Sequence, residues 1–211
     1  SSLTEVWFIE RCLRLLKPGG RMGIVLPEGV LNNSNLQKVR EYFEGQAKII
    51  LICSIPQDVF IKAGATVKPS LVFLKKFTEE ERQQYDLIVA KARKTVDEKY
   101  TDDIQRIENA YKTKEIKTKA LYTIELKAIE AKKQEEMKPL IKEWFEYQIP
   151  IAKVEKAGIT TTGASCENEL DDVLEAYRLY LAQNPLWKAK GVIWEYTLGA
   201  DLNVSKIAIN N

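Results

Sequence analysis

The middle of the chain contains a long stretch with almost no residue that ends a helix. Glycine is absent between Gly64 and Gly158, and proline is absent between Pro69 and Pro139. Because these two residue types destabilise helix interiors more than any others, their absence favours long helices. This stretch constrains the fold more than any other feature of the sequence.

Apolar residues in this stretch recur at spacings of three and four, and lysine and glutamate fill most other positions. A narrow apolar seam on charged helices is typical of a coiled-coil-like pair, so we predict a helical hairpin over residues 78–148. We expect Thr101, which precedes Asp102 and Asp103, to cap the second helix; a break at residues 113–118 is the alternative. The seam positions are Val89, Ala92, Val96, Tyr100, Ile104, Ile107, Tyr111, Leu121, Ile124 and Ala128.

Residues 1–77 have the pattern of an α/β domain. Short apolar runs predict strands over residues 22–26, 49–53 and 70–74. With the helices between them, this order predicts the second half of an open, mostly parallel sheet of about three strands with flanking helices. The helix positions expected to face the core are Val6, Phe8, Ile9, Cys12, Leu13, Leu15 and Leu16, then Leu36, Val39, Tyr42 and Phe43.

Residues 149–211 return to a mixed composition and predict a small helical segment with a tail. Residues 158–167 form a polar stretch that we interpret as a loop. An amphipathic helix follows, with Asn168 as its cap and Asn184-Pro185 as its end. From Gly191 onward the sequence fits either a strand or a docking segment, and these alternatives remain open. The helix is marked by Leu170, Val173, Leu174, Tyr177 and Leu181.

Charge is distributed unevenly along the chain. Residues 1–77 carry 11 basic and 6 acidic side chains, residues 79–143 carry 15 of each, and residues 144–211 carry 6 and 9. Attraction to phosphate therefore belongs mainly to the first segment. Interleaved carboxylates favour a solvated or partner-binding surface on the hairpin over a DNA-binding stripe.

Residue content excludes several classes of site. The chain has no histidine, which excludes Ser-His and Cys-His nucleophile systems and HExxH zinc sites. Cys12, Cys53 and Cys166 form no CxxC pair, and we expect Cys12 and Cys53 to be small buried hydrophobes. No apolar run approaches the roughly 18 residues of a membrane span. With no signal-like segment at the start, we expect a cytoplasmic protein.

The glycines at Pro18-Gly19-Gly20 do not match a phosphate-binding loop. They lack the GxxxxGK[ST] spacing of a P-loop. A dinucleotide fingerprint places glycines after a strand and before a helix, whereas here a helix precedes them and a strand follows. We therefore interpret Gly19-Gly20 as the end of a helix and the entry to a strand.

A series of short motifs occurs in a fixed order along the chain. They are residues 15–21 (LLKPGGR), 24–31 (IVLPEGVL), 39–40 (VR), 55–60 (IPQDVF), 62–68 (KAGATVK) and 70–76 (SLVFLKK), then 147–150 (YQIP), 155–158 (EKAG), 162–163 (TG) and 168–171 (NELD). In this order they resemble the distal half of the Rossmann-like catalytic domain of N6-adenine DNA methyltransferases, in particular the modification (M) subunit of type I restriction–modification systems. The resemblance covers most of residues 1–77 and patches of residues 144–181.

The resemblance implies methyl transfer from S-adenosylmethionine to the N6 atom of an adenine flipped out of the duplex. It implies DNA, a specificity subunit and, as a further candidate, the restriction subunit as partners. The family's glycine-containing cofactor loop and its Asn-Pro-Pro-aromatic loop are both absent from these 211 residues. We therefore expect a C-terminal fragment with no catalytic or cofactor-binding residues of its own, inactive by itself.

One element of the family's base pocket has a counterpart here. Phe60 matches a phenylalanine that packs against the extrahelical adenine, and Gly64 matches the turn after it. Lys62 and Lys68 flank the loop and are candidates for contacts with DNA phosphate, with a solvated role as the alternative. The family often has Lys-Thr where this chain has Lys68-Pro69, which removes a backbone donor.

Two other classes of function remain open from the sequence. A non-catalytic interaction module would use the hairpin to dock a partner subunit, although a small sheet with exposed edges is an unusual design for a free module. An unrelated α/β enzyme would need acid–base residues at strand ends, where Glu28 and Asp58 are the only carboxylates. Asn32 and Asn33 lie at the same end, and we interpret them as turn residues.

Overall fold

The computed structural model describes residues 4–184, 193–198 and 204–209, with only the backbone described at Asp58 and in the last two segments. The chain divides into two compact units, residues 1–76 together with 149–211, and residues 77–148. The elements in chain order are α1 (Thr4–Leu15), β1 (Arg21–Pro27), α2 (Glu28–Asn32), α3 (Gln37–Glu44), β2 (Ala47–Ser54), β3 (Pro69–Lys76), α4 (Glu79–Lys112), α5 (Lys119–Trp144), β4 (Ile151–Lys153), β5 (Ala157–Ile159), β6 (Ser165–Asn168), α6 (Leu170–Gln183), β7 (Ile193–Leu198) and β8 (Val204–Ile209), with 3₁₀ helices over Ser34–Leu36 and Gln57–Ala63.

The first unit contains a four-stranded mixed sheet in the order β1–β3–β2–β4. The three predicted strands are confirmed, but the prediction of a mostly parallel sheet is wrong. β3 lies between β1 and β2 and is antiparallel to both, while only β2 and β4 pair in parallel. The segment between β2 and β3 contains a 3₁₀ helix of 7 residues and no crossover helix, so the chain reverses direction there.

One face of this sheet is covered by α1 and α3. Ile9 and Leu13 of α1 and Phe43 of α3 are buried against Leu26 and Val72 of the sheet. Fewer helix residues face the core than the sequence predicts, because Phe8, Leu15 and Tyr42 are exposed. Ile9 and Leu13, four residues apart, are the buried residues of α1, while Val6 and Cys12 beside them are half-buried.

The turn before β1 has the geometry expected for Pro-Gly. The Gly20 N–H donates to the Lys17 carbonyl at 2.9 Å, and Gly19 has a φ of 73°. Proline followed by a left-handed glycine is typical of a type II turn. The interpretation of Gly19-Gly20 as a helix end and strand entry is confirmed.

The other face of the sheet is covered in part by α6. Leu170 and Val173 pack against a small buried cluster of Cys53, Ile55 and Val154. The predicted helix is confirmed, and Asn168 accepts a hydrogen bond from the Leu170 N–H at 3.3 Å, although Glu169 is the cap residue itself. Pro185 lies outside the described residues.

The predicted polar loop at residues 158–167 is instead part of a β-hairpin, in which β5 and β6 pair in antiparallel fashion. Apolar and polar residues alternate only weakly in this stretch, because most of its residues are small and polar. The sequence pattern therefore does not indicate strands. β7 and β8 form a second antiparallel pair. Of the two alternatives for the tail, a strand or a docking segment, the strand is therefore observed for residues 193–198 and 204–209.

The cysteines carry no disulfide. Cys53 is buried and free, and burial raises the pKa of its thiol. The expectation of a small buried hydrophobe is therefore confirmed for Cys53, whereas Cys12 is only half-buried.

The second unit is a pair of long helices, α4 with 34 residues and α5 with 26. Lys99 binds Glu136 at 2.7 Å and Tyr111 stacks on Tyr122 with 4.5 Å between ring centroids, so the helices run in opposite directions. The cluster between them consists of Val96, Tyr100, Ile107, Ile129 and Met137.

The prediction that Thr101 caps the second helix is wrong, and the alternative break at residues 113–118 is confirmed. Thr101 lies inside α4, where its hydroxyl donates to the Asp97 carbonyl at 3.0 Å. Within a helix, a threonine hydroxyl can donate its hydrogen bond to a carbonyl of the preceding turn. A threonine before acidic residues therefore does not always mark the start of a helix. The caps are Thr78, in a capping box with Glu81, and Thr118.

Candidate nucleic-acid interface

Phe60 lies in the 3₁₀ helix that follows β2. The helix ends at Gly64, whose φ of 79° is left-handed. The Gly64 N–H donates to the Ile61 carbonyl at 2.9 Å, and the Ala65 N–H donates to the Phe60 carbonyl at 3.1 Å. This pair of bonds is a Schellman motif, which favours glycine at that position. Gly64 therefore determines how the loop carrying Phe60 turns back toward β3.

The Phe60 side chain is half-buried. It packs against the cluster of Cys53, Ile55 and Val154 together with Val59. An aromatic ring anchored on one side in this way loses little further entropy when a flat ligand stacks on its accessible side. The position of Phe60 is compatible with base stacking.

Lys62 is exposed in the last turn of the same 3₁₀ helix. The end of its side chain lies against Gly163, where an added Cβ atom would overlap it. Gly163 belongs to the turn between β5 and β6, closed by its N–H donating to the Thr160 carbonyl at 2.8 Å. The structure thus brings the Thr162-Gly163 motif next to the loop that carries Phe60 and Lys62.

Lys68 lies at the other end of the loop, in a polar cluster with Glu28 and Ser54. The Lys68 Nζ is 3.1 Å from the Glu28 Oε1, and the Ser54 hydroxyl donates to the same oxygen at 2.7 Å. The hydrogen bond from Ser54, and secondarily Lys68, lowers the pKa of Glu28. Glu28 is therefore ionised at neutral pH and balances the charge of Lys68.

This cluster occupies one edge of the sheet. Pro27 ends β1 opposite Pro69, and Ser54 ends β2 opposite Ser70. The carboxyl ends of β1 and β2 therefore meet the start of β3. Open α/β sheets bind ligands at the carboxyl ends of their strands, so the Phe60 loop leaves the sheet at the edge where a ligand is expected.

The loop after β1 is held by Arg40. Its Nη1 donates to the Asn33 carbonyl at 2.7 Å and to the Val30 carbonyl at 3.1 Å. Asn33 accepts from the Asn35 N–H at 2.9 Å, so its interpretation as a turn residue is confirmed. A cation that binds the last carbonyls of a short helix fixes the path of the chain.

Sequence reasoning named Phe60, Lys62, Gly64 and Lys68 but missed Ser54 and the role of Arg40. Ser54 directly follows the apolar run that predicts β2. This position at the end of a strand is the one signal in the sequence that could have indicated its role. The side chain of Asp58 lies outside the described part of the structure, so Glu28 is the one predicted carboxylate that can be placed. Among the described residues, no group of three His, Cys, Asp or Glu side chains is arranged to hold a metal ion.

No helix in the described part of the chain combines the length and apolar character needed to cross a membrane.

The sheet and the polar cluster at the carboxyl ends of β1 and β2 define a mixed α/β protein with a candidate ligand site. Residues 1–141 match the family described as N-6 DNA Methylase. The match covers more than half of the chain, which therefore belongs to this family of methyltransferases.

Two solved structures are similar to this chain. One is described as a class I S-adenosylmethionine-dependent methyltransferase from Listeria monocytogenes; it is 28% identical, with 37% of this chain and 23% of that chain covered and a TM-score of 0.33. The other comes from work on assembly and conformational transition of the type I R-M system; it is 30% identical, with coverages of 36% and 16% and a TM-score of 0.33. The chain thus spans less than a quarter of either. Comparison with curated proteins gave no match.

Proposed function

We propose that this chain is part of a site-specific DNA adenine N6-methyltransferase, the modification subunit of a type I restriction–modification system. Membership of the N-6 DNA methylase family supports this proposal. The observation that carries it is the loop with Phe60, anchored by the Gly64 turn at the ligand-facing edge of the sheet.

In this function Phe60 stacks on the adenine after it leaves the duplex. The amino group of a stacked and paired adenine is inaccessible, so the base must be extruded before it can react. A half-buried aromatic ring replaces part of the lost stacking and excludes water from one face of the base. Lys62, exposed beside this ring, is placed to contact a neighbouring phosphate.

S-adenosylmethionine supplies the methyl group in the proposed reaction. The cleft between the sheet and α6, about 410 Å³ in volume, does not fit this cofactor. It is lined mainly by apolar side chains, including Leu51, Phe73 and Tyr177. Its lining contains no carboxylate that would bind ribose hydroxyls. We therefore expect these 211 residues by themselves to show no binding of the cofactor in calorimetry and no methylation, and binding by the chain alone would contradict this.

Replacing Phe60 tests the stacking role in the intact enzyme. Phe60→Leu keeps an apolar side chain against Cys53 but removes the flat ring. Stacking of a base on an aromatic side chain contributes about 1–3 kcal/mol, so we expect the single-turnover methylation rate to fall roughly 5- to 150-fold. Fluorescence of 2-aminopurine placed at the target position should show less extruded base.

The control for this experiment is Val59→Ala, which removes packing from the same cluster without removing a ring. It should lower the free energy of unfolding and leave the methylation rate of the folded enzyme close to wild type. If Phe60→Leu and Val59→Ala slow methylation equally, Phe60 only supports the core and the stacking role is wrong.

We also propose that the hairpin helices dock the specificity subunit, with the restriction subunit as a further candidate partner. The interleaved charges of the hairpin surface favour a partner-binding face, and Leu87 of α4 is 72% exposed on it. Leu87→Glu should weaken co-elution with the specificity subunit on size exclusion, and unchanged co-elution would contradict docking through this face.

A further inference from the structure

The turn of the helical hairpin concentrates positive charge. Residues 112–119, which we call the tip, contain four lysines (Lys112, Lys114, Lys117 and Lys119) and a single carboxylate, Glu115. The hairpin as a whole is balanced, with 15 basic and 15 acidic residues over 79–143. The helices outside the tip are therefore net acidic, and the balanced total hides a local basic surface.

The tip lysines lack the carboxylate partners that several other lysines of the hairpin have. Along the helices, Lys99 binds Glu136, and Lys133 binds Asp97 and Glu130. All four tip lysines are exposed, and none makes an ion pair with any residue that the structure describes. Their charge is therefore not paired with a carboxylate, as it is at Lys99 and Lys133.

Lys114 occupies a backbone position that usually belongs to glycine. Its φ is 62°, and it is the one non-glycine residue with positive φ in the described segments. At Gly19, Gly64, Gly158 and Gly163 a left-handed position is held by glycine. The Cβ atom of lysine makes this backbone conformation strained, and backbone strain of this kind is enriched at functional sites.

The backbone that presents the tip lysines is well supported. Tyr111 stacks on Tyr122 with an interplanar angle of 17°, and Ile116 packs against the cluster between the helices. The Ile116 N–H donates to the Ala110 carbonyl at 3.0 Å, and Thr118 caps α5. The charges are therefore carried by a fixed turn, about 50 Å along α4 from the start of that helix.

We propose that the tip binds the phosphate backbone of DNA, as a second contact separate from the loop that carries Phe60. Lysine is depleted at protein–protein interfaces but is a common contact for phosphate. The tip contains no arginine, asparagine or glutamine to read base edges, so the contact is independent of sequence. The inference rests on the proposed function, because it takes DNA as the substrate.

The test compares two variants of the intact methyltransferase with the same change in charge. The tip variant replaces Lys112, Lys114, Lys117 and Lys119 by Gln. The control replaces four exposed lysines of the helices by Gln: Lys94, Lys127, Lys132 and Lys142. Affinity for a short labelled duplex without a recognition site is measured by fluorescence anisotropy between about 50 and 200 mM salt.

Each phosphate contact contributes about 0.9 to the slope of log affinity against log salt. If the four lysines all bind phosphate, the slope of the tip variant falls by about 3 to 4, while the control slope changes by less than about one. Equal slopes in the two variants would overturn the proposal. So would a tip variant that keeps its DNA affinity and instead loses the specificity subunit.

Lys114→Gly adds a measurement in which binding and stability should move in opposite directions. Glycine relieves the left-handed strain, so the thermal midpoint of unfolding should rise, while DNA affinity falls and the salt slope decreases by about 0.9. Higher stability with unchanged DNA affinity would contradict a binding role for Lys114. Wild-type enzyme that does not methylate DNA would refute the proposed function itself, whereas methylation with a normal slope in the tip variant would refute only the tip.

Discussion

At the scale of single residues, the two lysines of the Phe60 loop differ in their availability. The charge of Lys68 is balanced by Glu28 at 3.1 Å, a carboxylate whose pKa is lowered by Ser54 and Lys68. Lys62 has no ion-pair partner among the described residues. Of the two lysines predicted to contact phosphate, the structure favours Lys62, and this role stays a prediction.

Gly64 should be intolerant of a side chain for a backbone reason. Its surroundings leave space for a Cβ atom, but its φ of +79° disfavours any L-residue. We expect Gly64→Ala to lower the free energy of unfolding by about 1–2 kcal/mol, measured by denaturant titration. Gly29 in α2 also has space for a Cβ atom and does not have positive φ, so Gly29→Ala should be neutral or stabilising. Equal losses in the two variants would mean that conformation is not the cause.

At the scale of elements, the hairpin should lose stability in acid through Glu136. Hydrogen bonds from Lys99 and Tyr100 lower the pKa of Glu136 below 4.5 in the folded state. A carboxyl group whose pKa is lower in the folded state than in the unfolded state stabilises the fold at pH values above its unfolded pKa. This stabilisation is lost as the pH falls through the folded pKa. The thermal midpoint of the helical circular dichroism signal should therefore fall as pH drops below about 4.5.

Glu136→Gln should weaken this acid dependence, because one of the hairpin carboxylates with a lowered pKa is gone, while Glu130 still titrates. Glu125, which is exposed and makes no ion pair with the described residues, provides the matched control, and Glu125→Gln should keep the wild-type profile. An acid profile that is the same in all three proteins would contradict the role of Glu136.

The elements also show which parts of the fold the sequence could predict. Helices and strands followed from apolar spacing, because burial of one face imposes that spacing. The direction of β3 could not be predicted, since a short apolar run reads the same in a parallel or an antiparallel strand. The hairpin turn was misplaced for a related reason: Thr101 carries a cap signal, whereas the true turn has lysine where glycine is expected.

The candidate site was predicted in a different way. Phe60 was named from the resemblance of its loop to a family, and apolar spacing alone does not distinguish it from Val59. Ser54 could not be predicted as a partner of Glu28, because 26 residues separate them in the chain and only the sheet register brings them together. The tip was missed because charge was counted over the whole hairpin, which averaged a basic turn with acidic helices.

At the scale of the whole molecule, the chain joins a methyltransferase-family sheet to a hairpin with a distinct charge pattern. The family match extends over residues 1–141 and so includes strands β1 to β3 of the sheet and most of the hairpin. If the proposals hold, the Phe60 loop acts on one base while the tip lysines contact phosphate independently of sequence. Specific and non-specific affinity should then depend on different residues of one chain.

The most direct test of the central claim is the identity of the methylated product. The intact enzyme is combined with the proposed specificity subunit and incubated with S-adenosylmethionine and duplex DNA, and the nucleosides are analysed by mass spectrometry. We predict N6-methyladenine, at a rate strongly reduced by Phe60→Leu. Methylated cytosine, or DNA with no modified base when all subunits and the cofactor are present, would contradict the assignment as an adenine N6-methyltransferase.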